Sequence, residues 1–150
     1  MERLTAQSRA EVSISVSATV TSTIELVTIQ TMDFTGEELE LGVIEINPVL
    51  NPNAGRMVAR GNPNAEMRIN FVRTRELRNA TTNNVLLLEY LVAGNLIDEQ
   101  ASAEFLGQDD RDLQFNEDGE FYIWVGAVVD LTLAEPGSYE GEFSIEVEYI

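Results

Sequence analysis

The sequence predicts an all-β protein folded as an antiparallel β-sandwich, and three observations point there. Apolar and polar residues alternate with period two over much of the chain. The alternating runs are short and separated by turn residues, and no helical spacing recurs between them as a βαβ fold would need. One domain accounts for 150 residues that are 44% hydrophobic, with no internal linker and no repeat of about 20–50 residues.

The elements follow in order. Val12, Ile14, Val16, Ala18 and Val20 alternate with Ser13, Ser15, Ser17 and Thr19, which predicts a strand over 11–20. Further strands are expected from Ile24 to Ile29, Leu41 to Ile46 and Met57 to Arg60, and where Met67, Ile69 and Phe71 alternate with Arg68 and Asn70. Val85 to Ala93 contains a Leu-Leu-Leu run. Leu86, Leu88, Tyr90 and Val92 make its inner set if it is a strand, and a helical turn is the alternative. Between Asp98 and Gly119 the pattern loosens into an acidic surface loop with one short strand near Leu113 to Phe115. Glu120 to Leu133 is an apolar run bearing Trp124 and broken by Gly126, as expected of a strand buried on both faces or bent at a bulge. After a Pro136-Gly137 turn, Tyr139, Gly141, Phe143, Ile145, Val147 and Tyr149 alternate with Glu140, Glu142, Ser144, Glu146 and Glu148, the clearest strand in the chain. The total is about eight or nine strands, at the spacing of a β-sandwich.

Composition excludes much chemistry. With no cysteine and no histidine, disulfides, thiolate nucleophiles, zinc and haem sites and imidazole-dependent triads are removed. All nine cations are arginine, against 26 acids, for a formal charge of −17. So acidic a surface is a poor partner for nucleic acid or anionic membrane. It suits a saline habitat where salt screens the repulsion, and an ordinary acidic secreted protein is the other reading. Arg56, Arg60, Arg68, Arg73, Arg75 and Arg78 outweigh Glu66, Glu76 and Glu89, so 56–94 is positive within an acidic chain. That segment either docks on a neighbour's negative face or is paired with the chain's own carboxylates.

No catalytic constellation emerges, and neither metal nor cofactor is expected. Carboxylate pairs are too common here to mean anything without a cleft. The acidic loop Asp109 to Glu120 lacks the EF-hand spacing, leaving a weak irregular calcium site or a merely solvated loop. Serines and threonines have no histidine or lysine to deprotonate them. Gly55 and Gly61 lie in Asn/Pro-rich turns without a phosphate-loop ending, and Asn79-Ala80-Thr81 is a three-residue sequon that arises often by chance. No run of about 18 apolar residues offers a transmembrane helix. The start, Met-Glu-Arg-Leu-Thr-Ala-Gln, lacks a signal-peptide pattern, which reads as a cytoplasmic protein or as a mature chain whose leader is gone.

The C-terminal segment PGSYEGEFSIEVEYI resembles the end of bacterial fimbrial subunits assembled by the chaperone–usher route, with Gly137 fourteenth from the end and Tyr149 penultimate. More broadly, SATVTSTIELVTIQTMDFTGE through VGAVVDLTLAEPGSYEGEFSIEVEY is similar to secreted, fimbria-like bacterial β-sandwich domains. The resemblance implies an immunoglobulin-like, pilin-like antiparallel β-sandwich over 11–150 behind an N-terminal extension at 1–10. It also implies an extracellular filament subunit without enzymatic activity, whose partners are head-to-tail copies of itself and an assembly chaperone. In such subunits an apolar groove is filled by a strand from the next subunit. The donor strand would be Val12, Ile14, Val16, Ala18 and Val20, or a shifted register nearer the N-terminus. The acceptor edge would be Tyr139, Phe143, Ile145, Val147 and Tyr149. Alternation cannot say whose sheet a strand joins, so an ordinary first strand of a closed monomer stays open. The alternative function is a monomeric secreted binding or adhesion module for carbohydrate or a surface partner, with Trp124 and Tyr122 as candidates if exposed.

Overall fold

Wherever the sequence alternates, the chain is extended. The computed structural model describes residues 10–20, 24–33, 42–79, 81–132, 134 and 137–150. Among these lie eleven strands: β1 (Ala10–Val20), β2 (Glu25–Gln30), β3 (Val43–Ile46), β4 (Gly55–Arg60), β5 (Glu66–Phe71), β6 (Thr74–Asn79), β7 (Val85–Asn95), β8 (Glu104–Phe105), β9 (Asp109–Gln114), β10 (Glu120–Asp130) and β11 (Gly137–Tyr149). The helical content among them is one 3-10 turn at Gln100–Ser102. The all-β expectation holds, and the Leu-Leu-Leu segment is strand, with Leu86, Leu88, Tyr90 and Val92 all buried. Leu41 and the proline of the expected Pro136-Gly137 turn lie outside the described residues.

Hydrogen-bonded ladders connect the strands in the order β2-β4-β10-β7-β6-β11-β5-β9, with β1 on β11, β3 on β10 and β8 on β7. This continuous path cannot be one flat sheet. Tyr90 on β7 and Phe143 on β11 have ring centroids 4.7 Å apart although β6 lies between their strands. Two strand spacings along a sheet amount to roughly 9–10 Å. The path therefore turns a corner where β6 meets β11, through only two residue pairs, Tyr139 with Asn79 and Glu140 with Arg78. One layer holds β2, β3, β4, β10, β7, β8 and β6. The other holds β1, β11, β5 and β9, and one apolar cluster fills the space between them.

Every ladder is antiparallel except β1 on β11, which is parallel over eleven pairs. A parallel pair needs a long crossover. Here the rest of the domain supplies it, because the two strands come from opposite ends of the sequence.

Turn chemistry is carried largely by asparagine. The Asn47 Oδ1 accepts from the amides of Val49 and Leu50, the Asn51 Oδ1 from Asn53, and the Asn116 Oδ1 from Asp118 and Glu120. Each side chain stands in for a backbone carbonyl, which is why asparagine favours such bends. Gly119 has φ +76°, and a Cβ there would lie 2.3 Å from the Gly61 carbonyl oxygen. Only glycine fits this approach, which closes the β4–β10 end of the ladder.

Candidate functional site

The arrangement that combines the most sequence-selected residues is the β1–β11 ladder. On β11, Tyr139, Phe143, Ile145 and Val147 are buried, and Glu142 is exposed on the opposite face, as period two requires. The Phe143 ring meets Tyr90 edge-on and lies 6.2 Å from Phe71. The Tyr139 hydroxyl accepts a 2.8 Å hydrogen bond from the Asn84 side-chain amide. One edge of β11 is shared by β6, at 139–140, and β5, at 145–149. The other edge is paired, among the described strands, by β1, from Gly137 to Val147.

The register brings the two predicted sets together. Val12 lies opposite Tyr139, Ile14 opposite Gly141, Val16 opposite Phe143, Ala18 opposite Ile145 and Val20 opposite Val147. Ile14, the β1 side chain whose burial is described, is 5% exposed and belongs to the core cluster. The alternate positions set Ser13 opposite Glu140, Ser15 opposite Glu142 and Thr19 opposite Glu146, so no acid of β1 faces one of these carboxylates. On the far edge, Arg78 pairs with Glu140 and Arg68 with Glu148. Arg68 also gathers Asp109 at 3.6 Å and Glu146 at 3.7 Å. Tyr149 lies beyond the end of β1; its ring packs 6.0 Å from Phe115 and its hydroxyl accepts from the Asn62 amide at 2.8 Å. In this single chain the ladder is intramolecular.

The aromatic pair of the binding-module reading sits elsewhere. Tyr122 and Trp124 are neighbours on the outer row of β10, with ring centroids 6.5 Å apart. Trp124 is only 3% exposed, so it offers no platform on which a sugar ring could stack. It forms one wall of a cleft of about 380 Å3 with Gln30, Pro52, Ala54, Arg56, Asp98 and Gln100. The polar groups there hold the surrounding loops together. The Gln30 side-chain amide donates to the carbonyls of Pro52 and Ala54, that of Gln100 to those of Pro48 and Asn51, and Arg56 is paired with Asp98. Burial, and then the hydrogen bond to Glu120, raise the Tyr122 hydroxyl above the ordinary phenol range.

The positive segment is largely neutralised within the chain. Besides Arg56 and Arg68, Arg60 pairs with Glu120 at 3.4 Å and Arg78 with Glu76 at 3.5 Å, while Arg73 and Arg75 are exposed. Asn79 of the sequon is 1% exposed, and its Oδ1 accepts from the amides of Thr81 and Thr82, so the fold uses this side chain as a turn. Among the described residues no group of three acidic side chains is placed to hold a metal ion, and no helix is long and apolar enough to cross a membrane.

Two features of the ladder go beyond what alternation selected. One is the placement of Gly141 between two buried aromatic residues and opposite Ile14. The other is Tyr90 beneath Phe143, which was visible only as an inner-face residue of β7. No protein-family model matches the chain, and no curated protein matches it either.

Proposed function

We propose that this chain is a structural subunit of a bacterial extracellular filament, an immunoglobulin-like sandwich in which β1 of one copy completes the β11 edge of the next. One observation supports the reading above others: an eleven-residue parallel ladder in which β1 follows β11 on both faces. Apolar residues stand opposite the buried face of β11, and hydroxyls stand opposite its carboxylates. Among the described strands β1 pairs with β11 alone, so its ladder can be handed to another copy without breaking a second one. Contacts made head to tail in this way do not close on themselves and build an open filament. Secretion to the cell surface and delivery by an assembly chaperone belong to this reading.

Energetics sets the conditions. A tethered strand competes at an effective concentration of order millimolar, so exchange is favoured when copies fold together at high concentration. The full chain refolded at rising concentration is expected to give a ladder of oligomers by size-exclusion chromatography and filaments by electron microscopy. Ile14→Asp or Val16→Asp would place an unpaired charge against the apolar face of β11, at a cost of several kcal/mol per interface. The oligomers should vanish first, and a peptide of residues 8–22 should occupy the open edge. A chain that stays monomeric at every concentration, with 10–20 protected from protease, would sink strand exchange. The closed intramolecular ladder would then favour a monomeric adhesion module.

A further inference from the structure

We infer that β11 selects its partner strand through a notch at Gly141, which accepts a bulky branched apolar side chain, in this sequence Ile14, and so fixes the register of the inserted strand. For its occupant, the β1 strand of a second copy, this rests on the strand-exchange reading. The notch itself is a property of each chain.

The buried face of β11 runs Tyr139, Gly141, Phe143, Ile145, Val147. Four of these positions carry side chains that are 0–1% exposed, and the one between the two aromatics carries none. Tyr139 and Phe143 each stand two residues, about 6.6 Å along the strand, from Gly141, and the same-face position between them has no side chain of its own. Glycine is also a poor residue in a strand interior, because it adds backbone entropy to the unfolded chain and contributes no packing. Its place at the centre of the most regular strand calls for a compensating contact. Ile14 stands opposite it and is 5% exposed within the core.

The register is then discriminated by shape. A slip of one residue would set Ser13 or Ser15 over the notch and turn the apolar residues of β1 to the outer face. A slip of two residues keeps the faces but moves Ile14 against Tyr139 or Phe143 and leaves a valine over the glycine. That arrangement combines overpacking at one position with a residual cavity at the other, and both are unfavourable in a close-packed core. A strand with alanine in place of Ile14 would match the period of β11 and still leave the notch empty.

Four full-length chains test the notch: the native sequence, Gly141→Ala, Ile14→Ala and the double variant. Alanine is the better strand residue, so without a notch Gly141→Ala should raise the melting temperature in either background. With a notch, Gly141→Ala should lower it by roughly 2–4 °C when Ile14 is present and raise it when residue 14 is alanine. A change of the same sign in both backgrounds overturns the inference. The occupant is tested by refolding the full chain with excess labelled peptide of residues 8–22. The native peptide should be captured at least about tenfold better than its Ile14→Ala counterpart, with the preference narrowed or reversed on the Gly141→Ala chain. Capture without discrimination overturns the notch and leaves strand exchange standing. Opposite melting signs without any peptide capture leave the notch within one chain and overturn the second copy as its occupant.

Discussion

Tyr90 carries the most exacting test at the scale of a single residue. It is 1% exposed, its ring packs edge-on against Phe143, and its hydroxyl is buried without a hydrogen-bond partner. Burial pushes its pKa up to about 12; the Arg75 charge opposes this and Glu142 adds to it. Because the folded value lies above the ordinary 10, the contribution of the neutral phenol to stability is complete below pH 10 and is lost as pH rises from 10 through 12. The composition makes this limb unusually clean. With no histidine, cysteine or lysine, the four tyrosines are the side chains left to titrate between neutrality and about pH 12. Tyr90→Phe should therefore flatten stability between pH 10 and 12, leaving the smaller contribution of Tyr122. At pH 7 it should be neutral or stabilising by up to about 1 kcal/mol, because the orphaned hydroxyl is removed. Urea midpoints of both chains at pH 7 and pH 11 measure this. A loss above 1 kcal/mol at pH 7 would mean that the hydroxyl has a partner in solution.

Among the elements, β10 organises the first layer, since β7 lies along one side of it while β4 and β3 share the other. The β4 ladder ends at Val125 and the β3 ladder begins at Ala127, so Gly126 is the junction. A Cβ at Gly126 would lie 1.9 Å from the Ile46 carbonyl oxygen and 2.9 Å from the Pro48 nitrogen. Both contacts are backbone and cannot rotate away. Gly126→Ala should cost about 2–4 kcal/mol, whereas Gly107→Ala, with nothing within 4 Å of its added carbon, should change stability by less than about 1 kcal/mol. Equal denaturation midpoints for the two variants would refute this account of the junction. The sequence made β10 legible as an apolar run with a break, but not the reason for the break, because the atoms that crowd Gly126 are some 80 residues away in the chain. The same limit explains what was missed. β6 buries only Leu77 and Asn79 and exposes Thr74, Arg75, Glu76 and Arg78, so it has too few apolar residues to show a period. β9 reads as an acidic loop because it is an edge strand, and charge on an edge discourages pairing with other chains. Both long strands of the candidate site were legible, since in each the apolar and polar residues alternate over its length, with Gly141 a gap in the side chains of β11. Their parallel register was not, because period two fixes which face a residue takes and leaves its partner undetermined.

The charge of the whole molecule makes its stability a function of salt, and length scales decide the direction. A formal charge of −17 in 150 residues implies net self-repulsion, which the ion pairs offset only locally. On the outer face of β11, Glu142 stands about 13 Å from Glu146, while Glu146 and Glu148, whose repulsion Arg68 offsets in part, hold successive positions about 6.6 Å apart. That spacing falls between the Debye lengths at 0.1 M and 1 M salt, about 10 Å and 3 Å. Repulsion along the row is therefore felt at the lower concentration and mostly screened at the higher. Contacts such as Arg60 with Glu120 at 3.4 Å are screened less, and as exposed pairs they contribute about 0–1 kcal/mol each in any case. Relief of repulsion should win, and the melting temperature should rise as sodium chloride goes from about 0.1 M to above 1 M. Sodium sulfate strengthens apolar burial as well as screening, so matched ionic strengths of the two salts separate the causes. A rise in both assigns the effect to charge; a rise in sulfate alone assigns it to burial. A melting temperature flat in chloride would remove the case for a saline habitat and leave the fold untouched. If the filament reading holds, the same screening should lower the concentration at which oligomers appear, because neighbouring subunits of like charge must approach closely before β1 can change sheets.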